Sequence, residues 1–241
     1  MAEMVLEVTG VVKRFGGFTA LDGVDFAVRP GERVGLIGPN GSGKSTLVNC
    51  IAGTLRNEEG RVRFEGRDIH AYPAHRRIRL GLARSFQIPK PFGSMSVLDN
   101  LCVPLLYAAR EGARRGQVAD EANHILRQVG LHEKAHAMSG GLTQVDMRKL
   151  ELARAMAAKP KLLMSDEAMA GLSTSEVDDI LELLMGLKAQ GVAVIMIEHV
   201  MRAVMKFSER IAVLVAGRKI ADGDPQTVVG NAEVVKAYLG E

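Results

Sequence analysis

The stretch Gly38-Pro39-Asn40-Gly41-Ser42-Gly43-Lys44-Ser45-Thr46 constrains this chain more than any other. It fits the pattern G-x-x-x-x-G-K-[ST] without a mismatch. Arg33-Val34-Gly35-Leu36-Ile37 before it reads as a short buried strand. Leu47, Val48 and Ile51 after it fall on one helical face, and Gly53 stops that helix. A strand feeding a glycine loop that opens a helix aims backbone N–H groups and a helix N-terminus at one point. Such a point attracts a polyphosphate, with Lys44 reaching the β- and γ-phosphates and Ser45 ligating Mg²⁺. The competing reading, a chance glycine turn, does not account for the matching flanks.

The rest of the chain reads as an α/β core interrupted by a mainly helical insert. Val5–Val8, Val24–Val28, Val34–Ile37 and Arg61–Phe64 have strand patterns, punctuated by Gly16-Gly17, Pro30-Gly31 and Glu59-Gly60. From Val97 to Ala157 the pattern is mainly helical, with a basic break at Arg110–Gly116 and a helical apolar repeat over Gln117–Val129. Leu162–Met164, Val192–Ile197 and Ile211–Val215 are continuous apolar runs, as strands buried on both faces require. Between the first two lies a helix. Ser173 and Glu176 form a capping-box pair, Val177, Ile180, Leu181, Leu184 and Leu187 share a face, and Gly191 follows its end. We expect a single unit over residues 1–241, with residues 1–87 and 158–241 forming the core and 88–157 the insert.

A second cluster lies at Lys161-Leu162-Leu163-Met164-Ser165-Asp166-Glu167, an apolar strand ending in two acids. Ends of parallel strands flank the ligand crevice. There one acid can hold Mg²⁺ while its neighbour orients or deprotonates an attacking water, as phosphoryl transfer requires. Alone this pattern is weak, because strands commonly end in acidic turns; paired with the glycine loop it gains weight. Val192–Ile197 then ends in Glu198-His199, and its strand is expected beside the one carrying Asp166, turning His199 toward the phosphates. A histidine just past a strand is otherwise usually a structural hydrogen bonder. His70, His75, His124, His132 and His136 lie in polar stretches and read as surface residues.

Composition excludes several classes. A net charge of +3 is too small to argue for nucleic acid. Cys50 and Cys102 have no metal-ligand spacing and read as reduced core residues of a cytosolic protein. Met1-Ala2-Glu3 leads into a strand pattern rather than a signal peptide, and no apolar run approaches the ~18 residues of a membrane span. Service at a membrane would be as a separate soluble subunit.

In this order, these pieces resemble the ATP-binding subunit of ABC transporters, over essentially the whole chain. The resemblance implies the P-loop NTPase fold of that family, with an antiparallel N-terminal portion and a helical insert, ATP and Mg²⁺ as cofactors, and ATP hydrolysis. It makes Phe15, in Lys13-Arg14-Phe15-Gly16-Gly17, the adenine-stacking aromatic. Gln87, in Arg84-Ser85-Phe86-Gln87, becomes the hinge glutamine that assists the metal. Asp166 becomes the metal-coordinating acid, Glu167 the general base and His199 the γ-phosphate switch. A narrower likeness is to the ATPase subunits of branched-chain amino acid importers. It is carried by Glu65-Gly66-Arg67-Asp68-Ile69, Leu80 through Gln87, Ile197-Glu198-His199 and Ala237-Tyr238-Leu239-Gly240-Glu241. Importers for urea and short amides, and a lipopolysaccharide-export ATPase, share much of this. The implied partners are membrane permease subunits, a second ATPase subunit and, indirectly, a periplasmic solute-binding protein. The implied location is the cytoplasmic face of the inner membrane. The segment from Gln87 through Pro89, Pro91 and Phe92 would grip the permeases.

One departure matters. The family's signature loop, Leu-Ser-Gly-Gly-Gln, is replaced by Leu142-Thr143-Gln144-Val145-Asp146. In the family this loop meets the γ-phosphate bound by the partner subunit. Val145 would be strained at positive φ, and Asp146 would place a negative charge near phosphate unless metal or lysine screens it. A rival alignment uses Met138-Ser139-Gly140-Gly141-Leu142, one helical turn upstream. We prefer the ungapped reading because the spacing onward to Asp166 is otherwise normal. The expected assembly is then a heterodimer with one strong and one weak hydrolytic site. A nucleotide-gated subunit with little turnover is the alternative, favoured by the altered signature and by Ser173, where many family members have Asp. Chromosome and ribosome ATPases of the superfamily are disfavoured, since neither heptads nor duplication occur.

Overall fold

A computed structural model describes residues 4–86, 88–108 and 115–239. Strands β1 (Leu6–Phe15) and β2 (Phe18–Val28) form an antiparallel hairpin closed by Gly16-Gly17. Both run further than the short apolar segments at Val5–Val8 and Val24–Val28 predict. Gly10, at φ 58°, lies where the register shifts between Val8 and Val11, and the strand resumes with Val11 and Val12 buried. The bulge interrupts the alternation without ending the pairing. Strand β3 (Arg33–Ile37) leads into helix α1 (Lys44–Ala52), which ends at Gly53 in the left-handed region. Strand β4 (Glu59–Phe64) pairs with β1, and β5 (Arg67–Asp68) with β4, giving the order β2-β1-β4-β5.

The second sheet carries the site. It comprises β3, β6 (Leu82–Ser85), β7 (Leu162–Asp166), β8 (Ala193–Ile197), β9 (Arg210–Val215) and β10 (Arg218–Gly223), ordered β10-β9-β3-β8-β7-β6. All neighbours are parallel except the edge strand β10. Every residue of β7 and β8 is buried, because both faces are covered. On one face Leu162, Met164, Ile195 and Ile197 pack with Leu47, Val48 and Ile51 of α1 and with the antiparallel sheet. On the other, Leu163, Val194 and Met196 pack with α6 (Thr174–Gly186) and α7 (Met201–Phe207). The predicted capping box is present: Ser173 and Glu176 satisfy each other's backbone N–H groups. Leu187 lies in the 3₁₀ turn Leu187–Gln190 that extends α6 to Gly191, and is buried as expected.

Helix α2 (Ala74–Leu80) precedes β6. Helices α3 (Val97–Ala108), α4 (Arg115–Gln128) and α5 (Gln144–Met156) share a separate apolar cluster of Val97, Leu101, Ile125, Leu126 and Leu150. At the C-terminal end, α8 (Pro225–Val229) and α9 (Ala232–Leu239) insert Val228 and Val234 against Ile37 and Val213. Cys50 is buried and Cys102 half-buried, both as free thiols. One expected surface residue is corrected: His70 is half-buried, because the loop from β5 folds it onto Arg56 Nε, which donates to its Nε2 at 3.3 Å.

Candidate active site

The glycine loop bridges the C-terminal end of β3 and the first turn of α1. Its shape depends on missing side chains. A Cβ on Gly38 would meet the Leu214 carbonyl oxygen at 2.0 Å, and one on Gly43 the Ala20 oxygen at 2.6 Å. Gly43, at φ 104°, forms the N-terminal boundary of α1, and Gly41, at φ 76°, borders open space. The loop is thus pressed between β2 and β9 on its protein side and open at Gly41.

Lys44 is buried at 6% exposure, and its Nζ donates to the Gly38 and Pro39 oxygens at 2.8 and 3.0 Å. Burial lowers its pKa, and the charges of Glu167 and Asp166 oppose that shift. The sheet register sets Leu36, Ile197 and Asp166 level across β3, β8 and β7, so both acids lie at the end of the sheet where the loop begins. Ser42 is buried with its Oγ unpartnered. Asn40 and Ser45 are exposed, while Pro39 and Thr46 are half-buried. An orphaned hydroxyl, a buried ammonium held by two loop carbonyls and a helix N-terminus together fit a bound polyphosphate. Ser45 and Asp166 carry hard oxygen donors of the kind that suit Mg²⁺.

The acids reach this loop through the sheet register. Asp166 pairs with Ile197 across β7 and β8, so the residues after each strand meet. Glu167 N donates to the Ile197 oxygen at 2.9 Å, and Glu167 Oε1 lies 3.1 Å from His199 Nε2. Glu167 holds φ 47°, a left-handed backbone in a non-glycine residue, at a strain of about 1–2 kcal/mol. Asp166 is 5% exposed, and its Oδ2 accepts from Arg84 Nη2 at 2.5 Å. Phe15, 47% exposed, stands opposite Phe18 in the β1–β2 hairpin, with Lys13 Nζ 5.2 Å from its ring. The hairpin adjoins the loop because Ala20 abuts Gly43.

Gln87 lies outside the described residues. Its neighbours are tethered by α5. Glu151 accepts a backbone hydrogen bond from Phe86, and Arg154 Nη1 donates to the Lys90 oxygen at 3.0 Å. Phe86, Ile88 and Phe92 remain exposed.

At the altered signature, Thr143 is the N-cap of α5, and its Oγ1 accepts from Asp146 N at 3.3 Å. Gln144 Nε2 donates to the Ala170 oxygen at 3.3 Å, while Leu142 and Val145 are half-buried. One expectation is corrected here, and the condition set on another is met. Val145 has no positive φ, since it lies in the first turn of α5. The charge of Asp146 is screened: its Oδ2 accepts from Lys134 Nζ at 2.5 Å. Burial pushes its pKa up, but the Lys134 and Thr143 hydrogen bonds outweigh this and the net shift is downward. Ser139 of the rival alignment is fully buried, donating to the Phe92 oxygen and accepting from Asn100.

Sequence reasoning missed four contributors. Phe18 offers a second exposed ring at the hairpin tip. Arg84 and Asn49 form a polar chain to Asp166. Glu198 is 3% exposed, and its Oε1 accepts from Met169 N at 2.9 Å, fixing the loop after Glu167. Burial pushes the Glu198 carboxyl upward in pKa. A glutamate beside His199 was visible in the sequence, but its inward direction was not.

Among the described residues no helix is long and apolar enough to cross a membrane. The model of the family described as "ABC transporter" matches residues 21–170, and that described as "Branched-chain amino acid ATP-binding cassette transporter" matches residues 218–241. The chain is 38% identical to the high-affinity branched-chain amino acid transport ATP-binding protein BraF of Pseudomonas aeruginosa, and 35% identical to LivG of Escherichia coli K12, each over 100% of both chains. Among solved structures, the ADP conformation of MJ1267, an ATP-binding cassette of an ABC transporter, superposes with a TM-score of 0.90 at 34% identity, over 99% of each chain.

Proposed function

With the chain a member of the ABC transporter family of ATPases, we propose that it powers the import of branched-chain amino acids or a related amino acid or amide. It does so from the cytoplasmic face of the inner membrane, bound to permease subunits and paired with a second ATPase subunit. A periplasmic solute-binding protein acts upstream. The observation that carries this reading is that the loop bearing Lys44, the acids Asp166 and Glu167, and His199 in contact with Glu167 all follow the same end of three neighbouring parallel strands.

In this scheme Phe15 stacks on adenine. The N–H groups of Gly38 to Thr46 surround the phosphates, and Lys44 exchanges its loop carbonyls for β- and γ-phosphate oxygens. Ser45 and Asp166, with Gln87 assisting, would hold Mg²⁺, which would supply neutralisation of the charge on the transferring phosphoryl group. Glu167 accepts a proton from the attacking water. His199, already 3.1 Å from that carboxylate, holds it in place and contacts the γ-phosphate. Glu167 holds its left-handed backbone, φ 47°, in the position directly after β7, where the chain leaves the sheet.

The partner's pocket is completed by Leu142, Thr143, Gln144, Val145 and Asp146. Lacking both signature glycines, this segment makes that pocket the weaker one, in a heterodimer. The altered signature also favours a second reading, a nucleotide-gated subunit with little turnover; the Glu167–His199 contact favours hydrolysis.

The test uses the assembled complex. Lys44→Ala abolishes nucleotide binding or turnover, and persistence of both refutes the scheme. Glu167→Gln lowers steady-state phosphate release by at least ~100-fold at this chain's pocket. If it lowers nothing while the matching partner change abolishes release, the strong and weak pockets are reversed.

A further inference from the structure

Arg84 is a sheltered cation that the scheme above does not use. It leaves β6 opposite Met164 of β7, so its side chain runs alongside the strand that ends in Asp166. Its guanidinium is held in two directions. Nη2 donates to Asp166 Oδ2 at 2.5 Å, and Nη1 donates to Asn49 Oδ1 of α1 at 2.5 Å. Asn49 Oδ1 also accepts from Thr54 Oγ1 at 3.0 Å, and the Phe86 ring stands 5.2 Å from the guanidinium carbon. The two side chains of the ion pair are 13% and 7% exposed. This is a fixed pair rather than a loose surface contact, so little salt or water screens it.

The charges around the metal-binding acid nearly cancel. Asp166 and Glu167 bring two negative charges; Lys44, whose pKa both acids influence, and Arg84 bring two positive ones. A bare divalent cation approaching Asp166 therefore meets almost no net attraction and a guanidinium already on one carboxylate oxygen. A cation arriving on a triphosphate carries its own anionic ligands, and Lys44 turns toward those same phosphates.

We propose that Arg84 is a positioning residue that sets the order of metal binding: by occupying Oδ2 of Asp166 and cancelling its charge, it makes the divalent cation enter with the nucleotide rather than ahead of it. This rests on the assignment of Asp166 as a metal-holding acid. Asn49 is the second anchor that keeps the guanidinium aimed at the carboxylate.

The test measures Mn²⁺ binding to the purified full chain by electron paramagnetic resonance, without nucleotide and then with ADP. Arg84→Gln removes the charge and keeps a hydrogen-bonding head of shorter reach. It binds Mn²⁺ alone roughly tenfold or more tightly than the unmodified chain, as losing one nearby positive charge in a sheltered site dictates. Arg84→Lys restores the weak binding. Mn²⁺ binding with ADP changes far less, so the ratio between the two conditions collapses in the glutamine variant only. A merely structural role would not move that ratio. Unchanged or weaker Mn²⁺ binding by Arg84→Gln overturns the proposal. Should that variant not fold, Asn49→Ala removes the second anchor without adding a charge, frees the guanidinium to leave Asp166 and tightens Mn²⁺ alone in the same direction; no tightening overturns it equally. Failure of the unmodified chain to bind ADP in either condition would overturn the ATPase reading instead.

Discussion

Two alanine substitutions in the glycine loop separate strain from collision. Gly41 and Gly43 both hold positive φ, at 76° and 104°. A Cβ at either position costs about 1–2 kcal/mol of left-handed strain, partly offset by about 0.4–1 kcal/mol from a less flexible unfolded chain. At Gly41 that is the whole cost, because nothing lies within 4 Å of the added carbon. At Gly43 the carbon also lands 2.6 Å from the Ala20 oxygen and 3.0 Å from Leu21 Cδ2. The first contact is backbone, so relief requires β2 to move off α1, where Leu21 is fully buried. Overpacking of that kind adds about 1–3 kcal/mol. Gly41→Ala is therefore expected to lose about 1 kcal/mol, and Gly43→Ala about 2–4 kcal/mol, in urea unfolding of the isolated chain. Fluorescent ADP titration of the same samples reports whether the loop still closes on phosphate. Equal losses within about 0.5 kcal/mol would refute the idea that β2 shapes this loop.

Other expectations follow from local geometry. Ser173→Ala removes the side-chain cap of α6 and one half of a capping box, for a loss of about 1 kcal/mol in denaturant unfolding. Glu198 has a folded pKa raised by burial above its ordinary value of 4.5. Folding then binds extra proton, so its contribution to stability is fully present below that ordinary value and is lost as pH rises through the folded pKa. Glu198→Gln, which can still accept from Met169 N, is expected to flatten that part of the stability–pH curve; an unchanged slope above pH 4.5 counts against burial as the cause.

The parts of the site legible in the sequence were those carried by contiguous residues. The glycine loop, the acids at the end of β7 and the histidine just past β8 each lie within a few residues of an apolar run, and burial of both faces marks β7 and β8 as strands of a parallel sheet. The capping box of α6 is likewise local. Long-range pairings were not legible. Arg84 meets Asp166 only because β6 is the edge neighbour of β7, and the two residues are 82 positions apart. Lys134 meets Asp146 across a turn whose path no periodicity encodes. The length of β1 was hidden because Gly10 breaks the alternation while the pairing continues past it.

The signature segment shows why the two objections to it carry different weight. The electrostatic one weakens on inspection. Asp146 shares its charge with Lys134, and its own N–H is satisfied by Thr143, so α5 still presents a helix N-terminus with its partial positive charge. The backbone-strain one is gone, since Val145 is helical, but a contact objection takes its place: Gln144 and Val145 put side chains where glycine would expose bare backbone. Gln144 is also tied to the Ala170 oxygen, in the loop that follows Glu167. Close approach of phosphate is then limited by Cβ and Cγ atoms rather than by charge. Under the proposed heterodimer, Glu167→Gln is expected to silence this chain's pocket in the assembled complex, leaving phosphate release from the pocket assigned to Leu142–Asp146. On that background Val145→Gly is expected to raise the remaining rate by about tenfold, equivalent to about 1.4 kcal/mol of barrier. Asp146→Asn is expected to leave it within a factor of about two, because the removed charge was already neutralised. The opposite ranking, with Asp146→Asn restoring the rate and Val145→Gly not, would mean that Lys134 does not screen the carboxylate once phosphate is present.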